Sequence, residues 1–341
     1  MTPQKEERVL TNRTRGLLGA SDAERIQAIR EDRWFGYPKA QEALRLMERL
    51  IDYPNVRRPP SLLLVAETNN GKTTIAERFL QLHPVIDDPA ADRVLMPVVL
   101  LDAPSTPDED RLYNHILNEL GAVFRIRSPR DAKLFQIRHL LRDLGMRVLV
   151  FDEVNNMLAG NQTQRHQMFN AIKSLSNALK RPVILTGTFD ALVVVREDGQ
   201  IQNRCLPFVL PRWQYDDDYL QLLASFEATL PLKRASNLVA PELAELLLVM
   251  SQHVIGELHR LLTQAAEQAI TGGSERITRT LLMNLKWIPS DQRDQSASAA
   301  EHGLDYTVDY QVLLDNLERP AARASPEDQS ETESEEENDG R

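Results

Sequence analysis

The sequence lacks most of the features that would place a chain outside the cytoplasm. Its single cysteine, Cys205, can close no internal disulfide and build no cysteine-rich zinc site. No uninterrupted apolar run approaches the roughly 20 residues of a membrane span. The opening MTPQKEERVL has no apolar core of the kind a signal peptide carries. A cytoplasmic location with no membrane partner is therefore expected. No helix-turn-helix, zinc finger or other base-reading module is recognisable either. Any contact with nucleic acid is then expected to be largely sequence-independent and sensitive to salt.

What is present is an ordinary globular balance: 341 residues, 42% hydrophobic and 26% charged. That is enough for one large domain or two modest ones, and it excludes a wholly disordered or fibrous chain. The net charge of −10 is unevenly spread. Residues 320–341 hold eight acids against two bases, so this tail carries −6 and the rest of the chain only −4. Phosphate contact depends on local basic surface, so the low overall charge does not exclude it.

Residues 1–33 are mixed and charged, with a helical stretch from Asp22 to Glu31, and read as an N-terminal extension. From Tyr37, apolar residues recur at helical spacing until Tyr53-Pro54 and Pro59-Pro60 end the helix. Strands are then predicted at 61–66, 96–101, 147–151, 182–185 and 206–210, with helices at 73–82, 108–120, 133–144 and 164–179 between them. This alternation predicts an α/β fold with a parallel sheet flanked by helices. Four helices follow, at 217–230, 240–251, 255–270 and 278–286, and suggest a small all-helical domain. The expected organisation is an extension (1–33), an α/β nucleotide-binding domain (34–212), a helical lid (213–288) and a flexible C-terminal segment (289–341). Within that last segment, Leu304 to Leu317 forms an apolar island, equally compatible with a docking peptide and with a small packed helix. The acidic tail beyond Pro320 has too little apolar content to fold alone.

The chemistry is concentrated in a few motifs. Directly after the first strand comes Ala66-Glu67-Thr68-Asn69-Asn70-Gly71-Lys72-Thr73, followed by Thr74. This is the phosphate-loop pattern G-x-x-x-x-G-K-[ST] with alanine in the first glycine position. Backbone N–H groups of such a loop wrap an anion at a helix N-terminus. Lys72 would reach the β- and γ-phosphates of ATP, and the Thr73 hydroxyl would sit on Mg²⁺. Eighty residues on, the buried strand ends in Asp152-Glu153. Asp152 would hold the metal shell and Glu153 would polarise the attacking water. On its own such a pair also suits a helix cap. Of the hydroxyls in Thr186-Gly187-Thr188, Thr188 is the preferred polar sensor of the γ-phosphate and Thr186 the alternative. Arg204 is placed to act as an arginine finger in a neighbouring subunit, though an ordinary surface arginine reads the same way. Between Arg125 and Arg142 six bases face one acid, Asp131. Arg125, Arg127 and Arg130 are the candidate DNA contacts, through charge rather than base reading; a merely solvated face has the same composition.

The order of these motifs resembles that of AAA+ ATPases, and their wording resembles the TniB/TnsC-type regulators of DNA transposition. The resemblance rests on LLLVAETNNGKTT (62–74), MPVVLLDAPSTPDEDRLYNHILNELG (96–121), VFDEVNNMLAG (150–160), PVILTGTFDA (182–191) and NRCLPFVLPRW (203–213). It spans residues 34 to 270 and implies a P-loop AAA+ domain with a helical lid. It also implies ATP and Mg²⁺ as ligands, ATP hydrolysis, and assembly of a homo-oligomeric ring or filament on double-stranded DNA. The implied protein partners are a DDE transposase of the TniA/TnsB type and a target selector of the TniQ/TnsD type, which can be CRISPR-associated. The resemblance further places Tyr37 and Pro38 against the adenine. Gly256-Glu257-Leu258-His259-Arg260 falls at the second-sensor motif, where His259 stands in place of the usual arginine and Arg260 is the substitute. Rival readings are a helicase loader or insertion-sequence helper ATPase, an interaction scaffold that holds nucleotide without turnover, and a P-loop small-molecule kinase.

Overall fold

The computed structural model describes residues 9–90, 93–155, 161–197 and 203–301, with positions 308, 310, 311 and 314. It divides into two compact units, 1–285 and 286–341.

The first unit is built on five strands: β1 (Ser61–Val65), β4 (Val98–Asp102), β5 (Val148–Asp152), β6 (Val183–Gly187) and β7 (Cys205–Val209). They form one parallel sheet in the order β4-β5-β6-β1-β7. Because side chains alternate across a strand, each strand feeds two cores. Leu63, Val65, Leu149, Phe151 and Leu185 face α5 (Glu109–Glu119), α6 (Arg130–Asp143), α7 (Gln162–Leu179) and α8 (Phe189–Glu197). Leu62, Leu64, Val148, Val150 and Ile184 face α3 (Pro38–Ile51) and α4 (Lys72–Leu82). The predicted strands and helices of this region are present with ends shifted by a few residues. Three further elements gave no pattern long enough to read: the antiparallel hairpin β2 (Ile86–Asp88) with β3 (Arg93–Leu95), the helix α8, and the short α1 (Asn12–Leu17).

The four helices expected to form the lid are α9 (Asp217–Thr229), α10 (Pro241–Met250), α11 (Ile255–Thr271) and α12 (Arg279–Met283), and they lie in the same compact unit as the sheet. The N-terminal extension packs on it. Arg25 of α2 (Asp22–Ile29) is fully buried and donates to both carboxylate oxygens of Glu275, at 2.7 and 2.8 Å, and to Pro231 O at 2.9 Å. The Glu275 carboxylate is held near pKa 2 by this guanidinium, against 4.5 for an ordinary glutamate. Arg30 forks onto Glu267, Arg33 reaches Thr229 O, and Thr11 N–H donates to Ala228 O. Residues 11–33 therefore belong physically with the lid, although the whole α/β body separates them from it in sequence.

In the second unit α13 (Arg293–Glu301) follows Trp287, whose carbonyl accepts a hydrogen bond from Tyr310 Oη at 2.7 Å. Most of the apolar island and the whole acidic tail lie outside the described residues.

Candidate nucleotide site

Parallel strands put all their carboxyl ends at one edge of the sheet, and that is where an α/β protein collects ligand-binding loops. The loop from Ala66 to Gly71 leaves β1 there and turns into α4. Two residues adopt left-handed backbone, Asn69 (φ 62°) and Gly71 (φ 86°). Gly71 is the N-cap of α4, so the first helical N–H groups open towards the loop. Ala66 has no positive φ and is fully buried, which explains why the first glycine is dispensable. Lys72 is buried and donates to the carbonyls of Ala66 (3.3 Å) and Glu67 (2.9 Å). Burial pulls its ammonium below the usual lysine range, while Glu153 and Asp152 push it back up.

The acids at the end of β5 are organised by a compact network. Asp152 is buried, and its Oδ1 accepts from the Thr186 hydroxyl and, at 2.9 Å, from Glu153 N–H. Glu153 N–H is shared with Thr186 Oγ1 at 3.3 Å. Glu153 itself sits at φ 54°, a left-handed conformation that costs a non-glycine residue on the order of 1 kcal/mol and clusters at functional sites. Its carboxylate accepts from Asn155 Nδ2 at 2.8 Å, and Asn155 Oδ1 accepts Thr188 N–H at 2.5 Å. Gly187 makes this crossing possible, because a Cβ there would lie within 3.0 Å of Asn155, Val154 and Ala191. Of the two threonines, it is thus the Thr186 hydroxyl that touches Asp152, whereas that of Thr188 lies 3.5 Å from Asp190 Oδ2. Asn155 was not singled out from the sequence, since a polar residue in a loop carries no pattern.

Beside the loop lies a cavity of about 390 Å³. Trp34, Phe35 and Tyr37 form one wall, Gly71 and Thr74 the floor, and Gly256, His259 and Arg260 the lid side. Tyr37 is packed edge-on against Trp213 with ring centroids 4.9 Å apart, and burial raises its phenol well above the ordinary range. Pro38 occupies the first turn of α3 and carries no such contact. The WFGY run at 34–37 is the signal in the sequence that marks this wall. Lid and loop touch directly. Gly256 N–H donates to Asn69 O at 3.0 Å, and Asn69 Nδ2 donates to the buried Glu257 at 3.0 Å. Asn70 Nδ2 donates to Pro211 O at 3.1 Å, and Arg212 pairs with Glu67 at 2.7 Å. A side chain at 256 would overlap Asn69. His259 packs towards Phe226, and burial lowers its imidazole below 6.5, keeping it neutral near pH 7. Arg260 is exposed and reaches Glu257 at 3.3 Å.

These residues fit a nucleotide and its metal. Asp152 spends Oδ1 on its two donors, which leaves Oδ2 for a hard cation, and Thr73, which is exposed, would supply a second oxygen. Thr68 belongs to the turn that exposes the loop N–H groups.

The remaining candidates lie elsewhere. Arg204 precedes β7 and therefore stands at the opposite edge, five strand residues or about 16 Å from the loop, with its guanidinium on Asn177 Oδ1 at 3.0 Å. Arg125 and Arg127 are exposed on the turn before α6 and form no ion pair with a described residue. Arg130 is different: it pairs with Glu109 (3.1 Å) and Asp110 (2.9 Å), and Lys133 is buried against Asp110 at 3.0 Å. Of the six bases counted in the sequence, Arg130 and Lys133 are thus neutralised by acids of α5, and Arg142 pairs with Asp143 at 3.6 Å.

Comparison with solved structures gives the fold. The Cdc6p protein of Pyrobaculum aerophilum aligns with a TM-score of 0.53 at 15% identity, over 85% of this chain and 88% of that one. The ORC2 protein of Aeropyrum pernix, solved as ADPNP–ADP complexes, aligns at 0.50 and 14%, over 86% and 89%. The ORC1 protein of Aeropyrum pernix in complex with DNA aligns at 0.51 and 16%, over 82% and 71%. These likenesses establish an AAA+ P-loop ATPase fold. Comparison with curated proteins returned no match. The sequence profile described as bacterial TniB protein matches residues 25–215, more than half of the chain, and the chain belongs to that family.

Proposed function

We propose that this protein is an ATP-driven switch of DNA transposition: it assembles on double-stranded DNA with ATP bound and is released by hydrolysis. The observation that carries the reading is the convergence of Lys72, Asp152, Glu153 and Thr186 at the carboxyl edge of the sheet, beside a cavity walled by Tyr37. Lys72, already drawn to the loop carbonyls, turns to the phosphates when they enter. Thr73 and Asp152 would hold Mg²⁺, which would neutralise negative charge on the phosphates when bound. Glu153 orients and polarises water, its carboxylate held in place by Asn155. Thr188 or Thr186 reports the γ-phosphate to that same network.

Arg204 cannot serve its own loop from the far edge, so its contribution falls on a neighbouring subunit, and catalysis depends on assembly. Arg125 and Arg127 meet phosphates of the duplex by charge. Family membership supports the link to transposition, with a TniA/TnsB-type transposase and a TniQ/TnsD-type selector as partners. The nucleotide and DNA complexes of the ORC relatives support ATP and duplex DNA as ligands.

The test is sedimentation of the protein with duplex DNA under ATP, ADP and a non-hydrolysable analogue. Large assemblies are expected only with DNA and a triphosphate, and Glu153→Gln is expected to hold them longer than the wild type. Nucleotide-independent behaviour, or equal lifetimes for the two proteins, overturns the reading. Assembly without phosphate release would favour a scaffold.

A further inference from the structure

The amino edge of the sheet carries its own chemistry. Arg147 precedes β5 by one residue and Arg181 precedes β6 by two, so they stand on adjacent strands about 5 Å apart. Neither forms an ion pair with a described residue; burial and Arg147 together pull the Arg181 guanidinium below its usual range. Next to them, between the C-terminal ends of α6 and α7, opens a cavity of about 350 Å³. Its rim bears Arg138, Arg142, Lys180 and Arg181 over a floor of Leu141 and Met146.

Arg138, Lys180 and Arg181 form no ion pair with a described residue. The acid at hand is Asp143, shared by Arg142 at 3.6 Å and His139 at 3.4 Å. The carbonyl ends of α6 and α7 contribute about half a negative charge each. Asp143 and the two dipoles thus offset about two of the five cations, counting Arg147 with the four of the rim, and leave an excess of about three positive charges. A built-in excess of this kind calls for an anion.

The ligand is specified further by Phe135. It is 69% exposed on the outer face of α6 and lies nearly parallel to His139, with 10° between the planes and centroids 6.3 Å apart. Arginines alone would suit any polyphosphate. A large aromatic ring held open to solvent among them offers a face on which a base can stack, and only an unpaired base has a face to offer in return. Bases within a duplex are already stacked on one another.

We propose that this cavity binds single-stranded nucleic acid, with backbone phosphates on Arg138, Lys180 and Arg181 and an unpaired base on the Phe135 ring. It is distinct from the duplex contact proposed at Arg125 and Arg127, which precede α6; Phe135 stands about 8 Å and Arg138 about 12 Å along the helix axis from its first residue. A volume of 350 Å³ falls within the range of small-ligand sites, so one nucleotide fits as the anchored unit.

Fluorescence anisotropy of the full-length protein tests this, using a labelled oligothymidylate and a labelled duplex of equal length in the same buffer. Phe135→Ala should weaken oligothymidylate binding about tenfold and leave duplex binding unchanged. Arg138→Glu should weaken it at least as much and lower its salt dependence. The double change Arg125→Ala, Arg127→Ala should do the reverse, weakening duplex and sparing the single strand. Both Phe135 and Arg138 are exposed, and an unchanged Tm will show that the fold is retained. The proposal is overturned if Phe135→Ala binds oligothymidylate like the wild type, or if it loses duplex to the same extent. It is equally overturned if a polyglutamate peptide competes as well as the oligonucleotide, which would assign the cations to an acidic protein surface. Failure of duplex-dependent assembly would count against the proposed function and leave this site standing.

Discussion

The two edges of the sheet are made by the same five strands and are electrostatic opposites. At the carboxyl edge Asp152 and Glu153 are partnered by Thr186 and Asn155 and lie near the buried cation of Lys72. At the amino edge Arg147, Arg181 and Arg204 precede three of the strands, and the nearby acid, Asp143, is already shared. One edge is pre-organised, with its groups held by each other, as a site needs when charge develops during a reaction. The other carries more cations than the acid beside it offsets, which is why an external anion is proposed there. On the readings proposed above, the first edge holds the nucleotide and the second couples the subunit to its surroundings, Arg204 included.

That contrast can be broken in several ways. The largest effect is expected from Asp152→Ala, which takes the acceptor from the Thr186 hydroxyl and the shorter of the two Glu153 N–H bonds and would remove the proposed metal ligand. ATP hydrolysis should fall by on the order of 100-fold or more, with oligothymidylate binding at the amino edge untouched; a parallel loss of both would show that the edges are not independent. Asn155→Ala should be milder, because it frees the Glu153 carboxylate and the Thr188 N–H but leaves Asp152 in place. We expect kcat lower by about tenfold at unchanged KM for ATP, with partial recovery in Asn155→Gln. A change in KM alone would assign Asn155 to binding. Smaller still, Gly256→Ala should part the lid from Asn69 and weaken nucleotide binding several-fold, on the order of 1 kcal/mol, as read by titration with a fluorescent ATP analogue. A pH test then touches neither edge. Glu275 titrates at about 2 in the folded chain and 4.5 when ordinary. Its lowered pKa makes its contribution complete above pH 4.5 and lost as pH falls towards 2. Denaturant unfolding of Glu275→Gln should show a flatter loss of stability across that window than the wild type.

The carboxyl edge was legible in the sequence because its determinants are local. A buried strand, a glycine at positive φ and a lysine opening a helix occur within a dozen residues, and the strand ending in Asp152-Glu153 is equally self-contained. Which of the Thr186 and Thr188 hydroxyls meets Asp152 was not legible, since it depends on the register of β6 against β5. Asn155 acts across the gap between two strands and leaves no spacing to recognise. The basic count from Arg125 to Arg142 was correct as composition, yet Arg130 and Lys133 are matched by acids on α5 some 20 residues earlier. The extension read as a separate piece because Arg25 and Glu275 lie 250 positions apart. Only folding reveals them as partners.

The attachment of residues 11–33 to the lid has a mechanical consequence. The lid is joined to the body by two crossings of the chain, one at Trp34–Tyr37 and the other at Leu210–Trp213, and the rings of Tyr37 and Trp213 touch where they pass. A plate held by a single tether can tumble in any direction. One held on two pins has a single easy rotation, about the line that joins them, and here that line borders the nucleotide cavity. In the assembly proposed above, a nucleotide entering the cavity would press on that line, and the resulting angle is what the next subunit would read.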